Sequence, residues 1–403
     1  MKWTNKGYED IICKKDINKT TKFCIYGAGK LGGDLYKTLK HYNMFFCFID
    51  NNNKLQETGY KNELVLSEND YFEKDMTNPI IICASDKNTF EIQNKLKSRG
   101  LIYNKNYYKY NEFSDKLLPI IAYKFFDQTF MSLAQICVTE RCTLHCKKCA
   151  HGCYNVPITK DDLTLEQVKK SADIFFSKVN YIHEFVLIGG EPLLYKHLTE
   201  AVEYIGSKYR NQMSVFSITS NGTIIPSKDL LERCKEYGVL YRISNYSATL
   251  KKLELQYEKL RNIFISNDVE FRFGRKEHEW VDYGFDYYKR DCSDKELIAV
   301  FDECNTPCHE IRENKFYYCV MARSVADNLS VNVGKEDYLD FEKLSGDNWK
   351  RELLEFIMGY SEKGYLDMFR MAGQKKGNCS HMCEQLRKKG YCRSGIPFYN
   401  HFT

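Results

Sequence analysis

Four apolar runs, separated from one another by a loop and a helix, constrain the fold of this chain more than any other feature. Phe130–Val138, Phe185–Ile188, Ser214–Ile218 and Val239–Ile243 are short, buried-type strands rich in β-branched and aromatic residues. Between them lie amphipathic segments. One opens at Thr164-Leu-Glu-Gln167, a capping box, and carries Val168, Ala172, Phe175 and Val179 on one face. Others run from His197 to Tyr209 and from Lys228 to Tyr237. Strand and helix alternating in this way define an α/β fold built on a parallel sheet, and such sheets carry their chemistry at the carboxyl ends of the strands.

The first strand end leads into Cys142-Thr-Leu-His-Cys146-Lys-Lys-Cys149, a C-x3-C-x2-C loop. Thiolates are the soft ligands that iron–sulfur clusters take, and three of them can hold three irons of a four-iron cube, leaving one iron open. Two other readings fit the loop taken alone. Structural zinc uses closely spaced cysteines but wants four N/S ligands. An electron-transfer cluster could recruit Cys153 as a fourth thiolate.

The remaining strand ends carry Gly189-Gly190-Glu191-Pro192, Thr219-Ser220-Asn221-Gly222-Thr223 and Ser244-Asn245. In this order the motifs resemble the radical SAM enzymes over roughly residues 128–275. The resemblance implies a partial (β/α)6 barrel. It implies that Cys142, Cys146 and Cys149 hold a [4Fe–4S] cluster whose open iron is chelated by S-adenosylmethionine, cleaved reductively to a 5′-deoxyadenosyl radical. By the same resemblance Gly189, Gly190 and Glu191 meet the methionine amino group. Thr219, Ser220, Asn221 and Ser244 lie near its carboxylate and ribose. Two glycines let a backbone approach a ligand closely, and a carboxylate suits an amine. The residue before the third cysteine, often aromatic in the family, is Lys148 here.

The chain has 403 residues and suggests more than one domain. Its formal net charge is only +5 with the two signs intermixed, so no nucleic-acid partner is expected. No apolar stretch approaches spanning length, and the first residues lack a signal-peptide pattern, so no membrane partner is expected either. Seventeen cysteines without an export signal read as metal and redox chemistry in a reducing cytoplasm.

Residues 1–127 form a Rossmann-like unit. The strand Phe23–Tyr26 runs into Gly27-Ala-Gly29-Lys-Leu-Gly32, a helix carries Leu35 and Leu39, and a second strand, Met44–Ile49, ends at Asp50. This matches a dinucleotide-binding fingerprint, with Gly27, Gly29 and Gly32 at a pyrophosphate and Asp50 at a ribose hydroxyl. The same glycine turn also serves plain strand–helix packing, so the bound nucleotide is an expectation of equal standing. Pro79–Ala84 adds a strand. Tyr103–Phe126 reads as a connector.

The radical SAM barrel is expected over 128–290 and a cysteine-rich domain over 291–403. Seven cysteines lie after residue 290. Cys308 and Cys319 bracket a stretch resembling the hairpin of SPASM and twitch extensions, with Asn314 where a glycine is usual. Four of Cys304, Cys308, Cys319, Cys379 and Cys383 would then hold an auxiliary [4Fe–4S] cluster, with zinc the alternative. Asn245, Tyr246, Arg272, Arg275 and His278 are candidates for lining a substrate pocket.

The expected function is hydrogen abstraction from a sugar or nucleotide-sugar, ending in dehydrogenation or epimerisation. A flavodoxin or ferredoxin would serve as electron donor. A maturase of a ribosomally made peptide is the second expectation and a non-catalytic iron–sulfur electron carrier the third. The strand-end motifs speak against the last.

Overall fold

The structure is a computed structural model. It describes residues 16–74, 76–144, 146, 149–153, 156, 161–276, 308–328, 337–359 and 361. The expectations placed on Lys148, His278, Cys304, Cys379 and Cys383 fall outside the described residues. The chain divides into two compact units, residues 6–132 and residues 133–402 together with 1–5.

The first unit is a five-stranded parallel sheet. Its strands are β1 (Phe23–Tyr26), β2 (Phe45–Ile49), β3 (Val65–Leu66), β4 (Ile80–Ile82) and β5 (Tyr107–Lys109). Their order is β3-β2-β1-β4-β5. Short strands this apolar survive because both faces are covered: Cys24, Tyr26, Cys47, Ile49, Ile80, Ile82, Leu96 and Tyr107 pack into one core. The stretch expected as a connector is structured instead. Tyr107–Lys109 is the edge strand, and Leu118–Phe126 is a helix with Pro119 in its first turn. Burial explains the difference, since Tyr107, Tyr108, Phe113 and Leu118 are almost wholly enclosed and Phe23 makes edge contacts with Tyr108 and Phe113. Strand order reverses at β1, where β2 lies on one side and β4 on the other, so the unit has strands on both sides of its glycine turn.

The second unit is an eight-stranded sheet. It comprises β6 (Phe130–Thr139), β7 (Tyr181–Gly189), β8 (Met213–Ser220), β9 (Val239–Ile243), β10 (Phe271–Phe273), β11 (His309–Arg312), β12 (Lys315–Tyr317) and β13 (Leu339–Asp340). The order is β10-β9-β8-β7-β6-β11-β12-β13. Strands β7 to β10 pair in parallel, with helices Leu198–Tyr209, Lys228–Glu236 and Leu253–Ser266 between them, and helix Leu165–Lys178 precedes β7. The capping box read from the sequence is present: the Thr164 side chain accepts the Gln167 N–H at 3.2 Å, and Gln167 accepts the Thr164 N–H at 2.9 Å. One face of the sheet is covered by helices, through Phe175 and Phe176 on Phe185 and Phe264 on Tyr241 and Phe271. Glu184, Ser217 and Arg242 share the other face, joined across three strands by bonds of 2.6 to 2.8 Å.

β11, β12 and β13, which the sequence assigns to a separate C-terminal region, extend this same sheet, with β11 running parallel to β6. The β11–β12 hairpin turns at Glu313, which takes the left-handed conformation (φ 53°) that had been expected of Asn314. Asn314 is spent elsewhere, its Nδ2 donating to Asp340 at 2.8 Å. Among the described residues no helix is long and apolar enough to cross a membrane.

Candidate radical SAM site

The strand ends converge on the cysteine loop. Gly190 N–H donates to Thr139 O and Glu191 N–H to Arg141 O, both at 2.9 Å, so the end of β7 is stitched to the chain leading into Cys142. A Cβ on Gly189 would lie 2.5 Å from Thr139 O, and one on Gly190 would lie 2.8 Å from the Cys142 Cβ and closer still to Arg141 O. These glycines are therefore required by the approach of backbone to backbone. Arg141 braces the same segment, with Nε and Nη2 on the Asp162 carboxylate at 3.0 and 2.5 Å and Nη2 also on Leu194 O at 2.7 Å.

Glu191 is fully enclosed. Its carboxylate accepts from Ser220 Oγ (2.8 Å), Asn221 N–H (2.8 Å) and Leu193 N–H (3.2 Å). Burial raises its pKa to about 6, against the opposing pull of those three bonds. The carboxylate meets protein donors at both of its oxygens. It is turned inward and clamps the end of β7 to the end of β8.

Asn221 extends the clamp to the loop. Its Nδ2 donates to Thr143 Oγ1 at 3.0 Å and lies 3.6 Å from Cys142 Sγ, while its Oδ1 accepts from Thr223 N–H and Oγ1. Thr143 and Thr223 hydroxyls meet at 2.6 Å. Thr219 is buried, and Ser244 is half-buried with its N–H on Ser220 O at 2.9 Å. The Tyr257 hydroxyl closes the arrangement, contacting Asn221 O and Ser244 O at 3.0 and 3.1 Å and accepting the Tyr246 N–H at 3.2 Å. Sequence reasoning missed Tyr257, which looks like one more apolar position on its helix.

The three thiols of the loop lie close enough to feel one another's charge. Cys142 is pushed up to about 11 by burial first, with Glu191, Cys149 and Cys146 adding to it. Cys146 is raised by burial, and a hydrogen bond from Tyr246 opposes that rise. Cys149 is lowered to about 5 by a hydrogen bond from Cys153. Cys153 itself is buried and held well up by that same contact. Among the described residues no three His, Cys, Asp or Glu side chains stand close enough to cage one metal ion. Three soft thiol donors around a loop, with backbone and amide N–H groups aimed at sulfur (Leu144 N–H to Cys142 Sγ at 3.4 Å), fit a multi-iron cluster.

The other expected sites are placed as follows. Asn245 is a turn-former, bonded to Gly274 O and to Ser247, and Arg272 pairs with Glu270 at 3.0 Å. Arg275 is exposed. Cys308 and Cys319 are both buried. In the hairpin register Glu310 faces Tyr317, and Cys308 and Cys319 lie just outside the two paired strands. Cys319 Sγ accepts the Ala322 N–H at 3.5 Å from the first turn of helix Val320–Asn328.

In the first unit, Gly27 (φ 116°) backs onto Cys83 O and Gly32 onto Gly27 O so tightly that neither admits a Cβ. Gly29, by contrast, has no heavy atom within 4 Å of the place a Cβ would take. The Asp50 carboxylate accepts the Ala28 N–H at 2.8 Å and the Asn52 N–H at 2.9 Å, so it shapes the glycine turn itself.

A parallel βα sheet whose strand ends gather a three-thiol loop defines an iron–sulfur α/β domain. Residues 136–265 match the family described as the Radical SAM superfamily, and the chain therefore carries a radical SAM domain, a class whose members are enzymes. The GTP 3′,8-cyclase of Rhizobium etli is 30% identical over 89 residues, which is 22% of this chain and 25% of that protein. A Rhizobium leguminosarum protein of the same name matches to the same extent. The chain thus spans about a quarter of the length of these curated relatives. Among solved structures, BtrN in complex with AdoMet and 2-DOIA is 14% identical, with 58% of this chain and 90% of that one covered (TM-score 0.36). SuiB of Streptococcus suis is 15% identical, covering 77% and 87% (TM-score 0.35).

Proposed function

We propose that this protein is a radical SAM enzyme that abstracts a hydrogen atom from a sugar or nucleotide-sugar, leading to dehydrogenation or epimerisation. The observation that carries the reading is the continuous clamp from Glu191 through Ser220 and Asn221 to Cys142, which ties the ends of β7 and β8 to the thiol loop. Cys142, Cys146 and Cys149 would hold a [4Fe–4S] cluster. When bound, the cluster and S-adenosylmethionine supply reductive cleavage to a 5′-deoxyadenosyl radical. The chain's own part is geometric: Arg141 and Asp162 fix the loop root, and Asn221 fixes Thr143. Cys308 and Cys319 would contribute to an auxiliary cluster, and a flavodoxin or ferredoxin in the cytoplasm would supply electrons.

The decisive experiment is anaerobic reconstitution followed by reduction and measurement of 5′-deoxyadenosine by mass spectrometry. Cys146→Ala is expected to abolish the product while leaving the auxiliary iron in place. Replacing Cys142, Cys146 and Cys149 together should leave about half of roughly eight irons per chain. Cleavage persisting in Cys146→Ala would sink the assignment of the loop, and zinc in the remainder would overturn the auxiliary cluster.

The first unit is the part of the chain that would bind a nucleotide-containing ligand. Its strand order reverses at β1, and ligands of open parallel sheets bind outside the carboxyl ends of strands at such a point. Gly29 leaves open space there, at the first turn of helix Lys30–His41. A thermal-shift panel of UDP-, dTDP-, GDP- and CDP-sugars on the whole chain should yield one stabilising ligand, by about 2.7 kcal/mol at a hundred times its dissociation constant. Gly29→Leu should erase that shift without lowering the stability of the free protein, because its side chain meets open space. If no nucleotide shifts the protein, the glycine turn is architectural and the peptide-maturase reading replaces this one.

A further inference from the structure

Helix Val320–Asn328 follows the β11–β12 hairpin and lies outside residues 136–265, the stretch that matches the radical SAM family. Two consecutive side chains on it nevertheless grip both ends of the cysteine loop. Arg323 Nη1 donates to Glu140 Oε1 at 2.7 Å, just before Cys142. Ser324 Oγ donates to His151 O at 2.6 Å, just after Cys149. Arg323 and Ser324 have no exposed surface, and Glu140 and His151 are buried with them. Each grip is braced in turn. Arg323 also pairs with Glu310 of β11 at 2.6 Å, and Glu310 accepts from Gln135 at 3.1 Å on β6, the strand that feeds the loop. Ser324 Oγ accepts the Asn328 Nδ2 at 3.1 Å, one helical turn on. Within the loop, Cys149 N–H donates to Cys146 O at 3.2 Å and Gly152 N–H to Cys149 O at 3.0 Å. Holding the His151 carbonyl therefore holds the turn that carries the third sulfur.

We propose that helix Val320–Asn328 is a clasp for the cysteine loop, with Arg323 holding its entry and Ser324 its exit, and that Ser324 is a positioning residue for the sulfur of Cys149. The inference rests on the reading that Cys142, Cys146 and Cys149 hold the cluster. Three sulfurs of one short loop must meet a rigid group together, and a loop whose two ends are already fixed loses less conformational freedom when it does so. Groups behind the ligands of a metal site set ligand geometry in this way. The hold on the exit is a hydroxyl bonded to an enclosed carbonyl, so deleting the donor leaves that oxygen buried and unsatisfied. Such a carbonyl relieves itself by rotating its peptide plane, and the turn that carries Cys149 rotates with it. The segment after the barrel strands is then a working part of the radical SAM centre.

The test pairs Ser324→Ala with Ser171→Ala. Ser171 is equally enclosed and its hydroxyl likewise donates to a carbonyl, Gln167 O at 2.7 Å, within helix Leu165–Lys178. Both proteins are reconstituted anaerobically, reduced, and followed by the EPR signal that Cys146→Ala removes. Ser324→Ala is expected to change the g values of that signal and to lose the iron of the loop to a chelator about tenfold faster than wild type. Ser171→Ala is expected to keep the wild-type spectrum and rate, whatever it costs in thermal stability. In the iron-free proteins, hydrogen exchange at the Cys149 and Gly152 amides should be faster in Ser324→Ala than in Ser171→Ala. Wild-type g values and iron retention in Ser324→Ala overturn the proposal, and so does an equal change in both variants. Should Ser324→Ala take up no iron, the exchange rates decide, and equal rates in the two variants overturn it. Wild-type protein without a Cys146-dependent signal overturns the assignment of the loop itself, and the clasp with it.

Discussion

Arg323→Ala is expected to lower folding stability by roughly 3–5 kcal/mol, because it removes the ion pair of the buried Glu310 and leaves the buried Glu140 with Arg312 alone. Arg323 has no exposed surface, and it lies 2.7 Å from Glu140 and 2.6 Å from Glu310. The second contact is an ion pair whose Nε–H is poorly aligned for a hydrogen bond, so charge rather than directionality does the work there. Glu310 is also fully enclosed and otherwise accepts only from Gln135 at 3.1 Å among the bonds described. Its pKa is raised by burial, with Arg323 the chief opposing influence. Removing the guanidinium leaves burial opposed only by the more weakly acting Arg312 and Gln135. The carboxyl then takes up a proton in the folded state at a pH where the unfolded chain has already lost it. A carboxyl raised in this way penalises the folded state above its folded pKa, and the penalty shrinks as pH falls through that value. The variant should therefore be closer to wild type in acid than at neutral pH. Thermal unfolding should show a drop on the order of 10 °C near neutrality. Adding Glu310→Gln to Arg323→Ala should recover part of the loss, since the two residues are in contact and their effects do not add. A loss no larger than that of an exposed ion pair, below about 1 kcal/mol, would show that solvent reaches the cluster.

That network also marks the limit of what the sequence discloses. Arg323 and Glu140 are 183 positions apart, and Gln135 and Glu310 are 175 apart, so no local pattern joins them. The glycine, serine and asparagine motifs at the strand ends were legible because each is a contiguous run whose spacing is set by one strand end. Their partners were not. Glu191 was readable as a carboxylate beside a ligand site, yet its bonds to Ser220 and Asn221 depend on the pairing of β7 with β8. Alternation disclosed β1, β2, β4 and β6 to β9, but it missed the short strands Val65–Leu66 and Phe271–Phe273 and failed at Tyr107–Lys109, where tyrosines that read as a polar connector are enclosed as an edge strand. The hairpin turn was located correctly but its left-handed residue was misplaced by one position, from Glu313 to Asn314. Either residue can reach that conformation, and the register of β11 with β12 decides between them.

Gly190→Ala is expected to remove the iron bound by the cysteine loop and to reduce 5′-deoxyadenosine formation at least about a hundredfold, the scale associated with displacing a reacting group by about 1 Å. The added methyl would stand 2.8 Å from both the Arg141 carbonyl carbon and the Cys142 Cβ, and nearer to the Arg141 oxygen. Two of these atoms are backbone and the third is the first side-chain atom of Cys142, so no flexible side-chain end can swing away. Nor can the two segments separate freely. Gly190 N–H to Thr139 O and Glu191 N–H to Arg141 O bind them at 2.9 Å, and Glu191 is locked from its other side by Ser220 and Asn221. The strain therefore falls on Arg141 and Cys142, at the root of the loop whose three sulfurs must present a common geometry. Gly29→Ala is the matched comparison, because its methyl meets no atom within 4 Å and should leave iron content and cleavage rate at wild-type levels. Iron analysis and product quantification on the two variants, prepared side by side, separate a general intolerance of glycine replacement from a specific demand at the strand end. Wild-type iron and rate in Gly190→Ala would mean that the β7 end yields without moving Cys142, and that the stitching between these segments does not hold the loop in place.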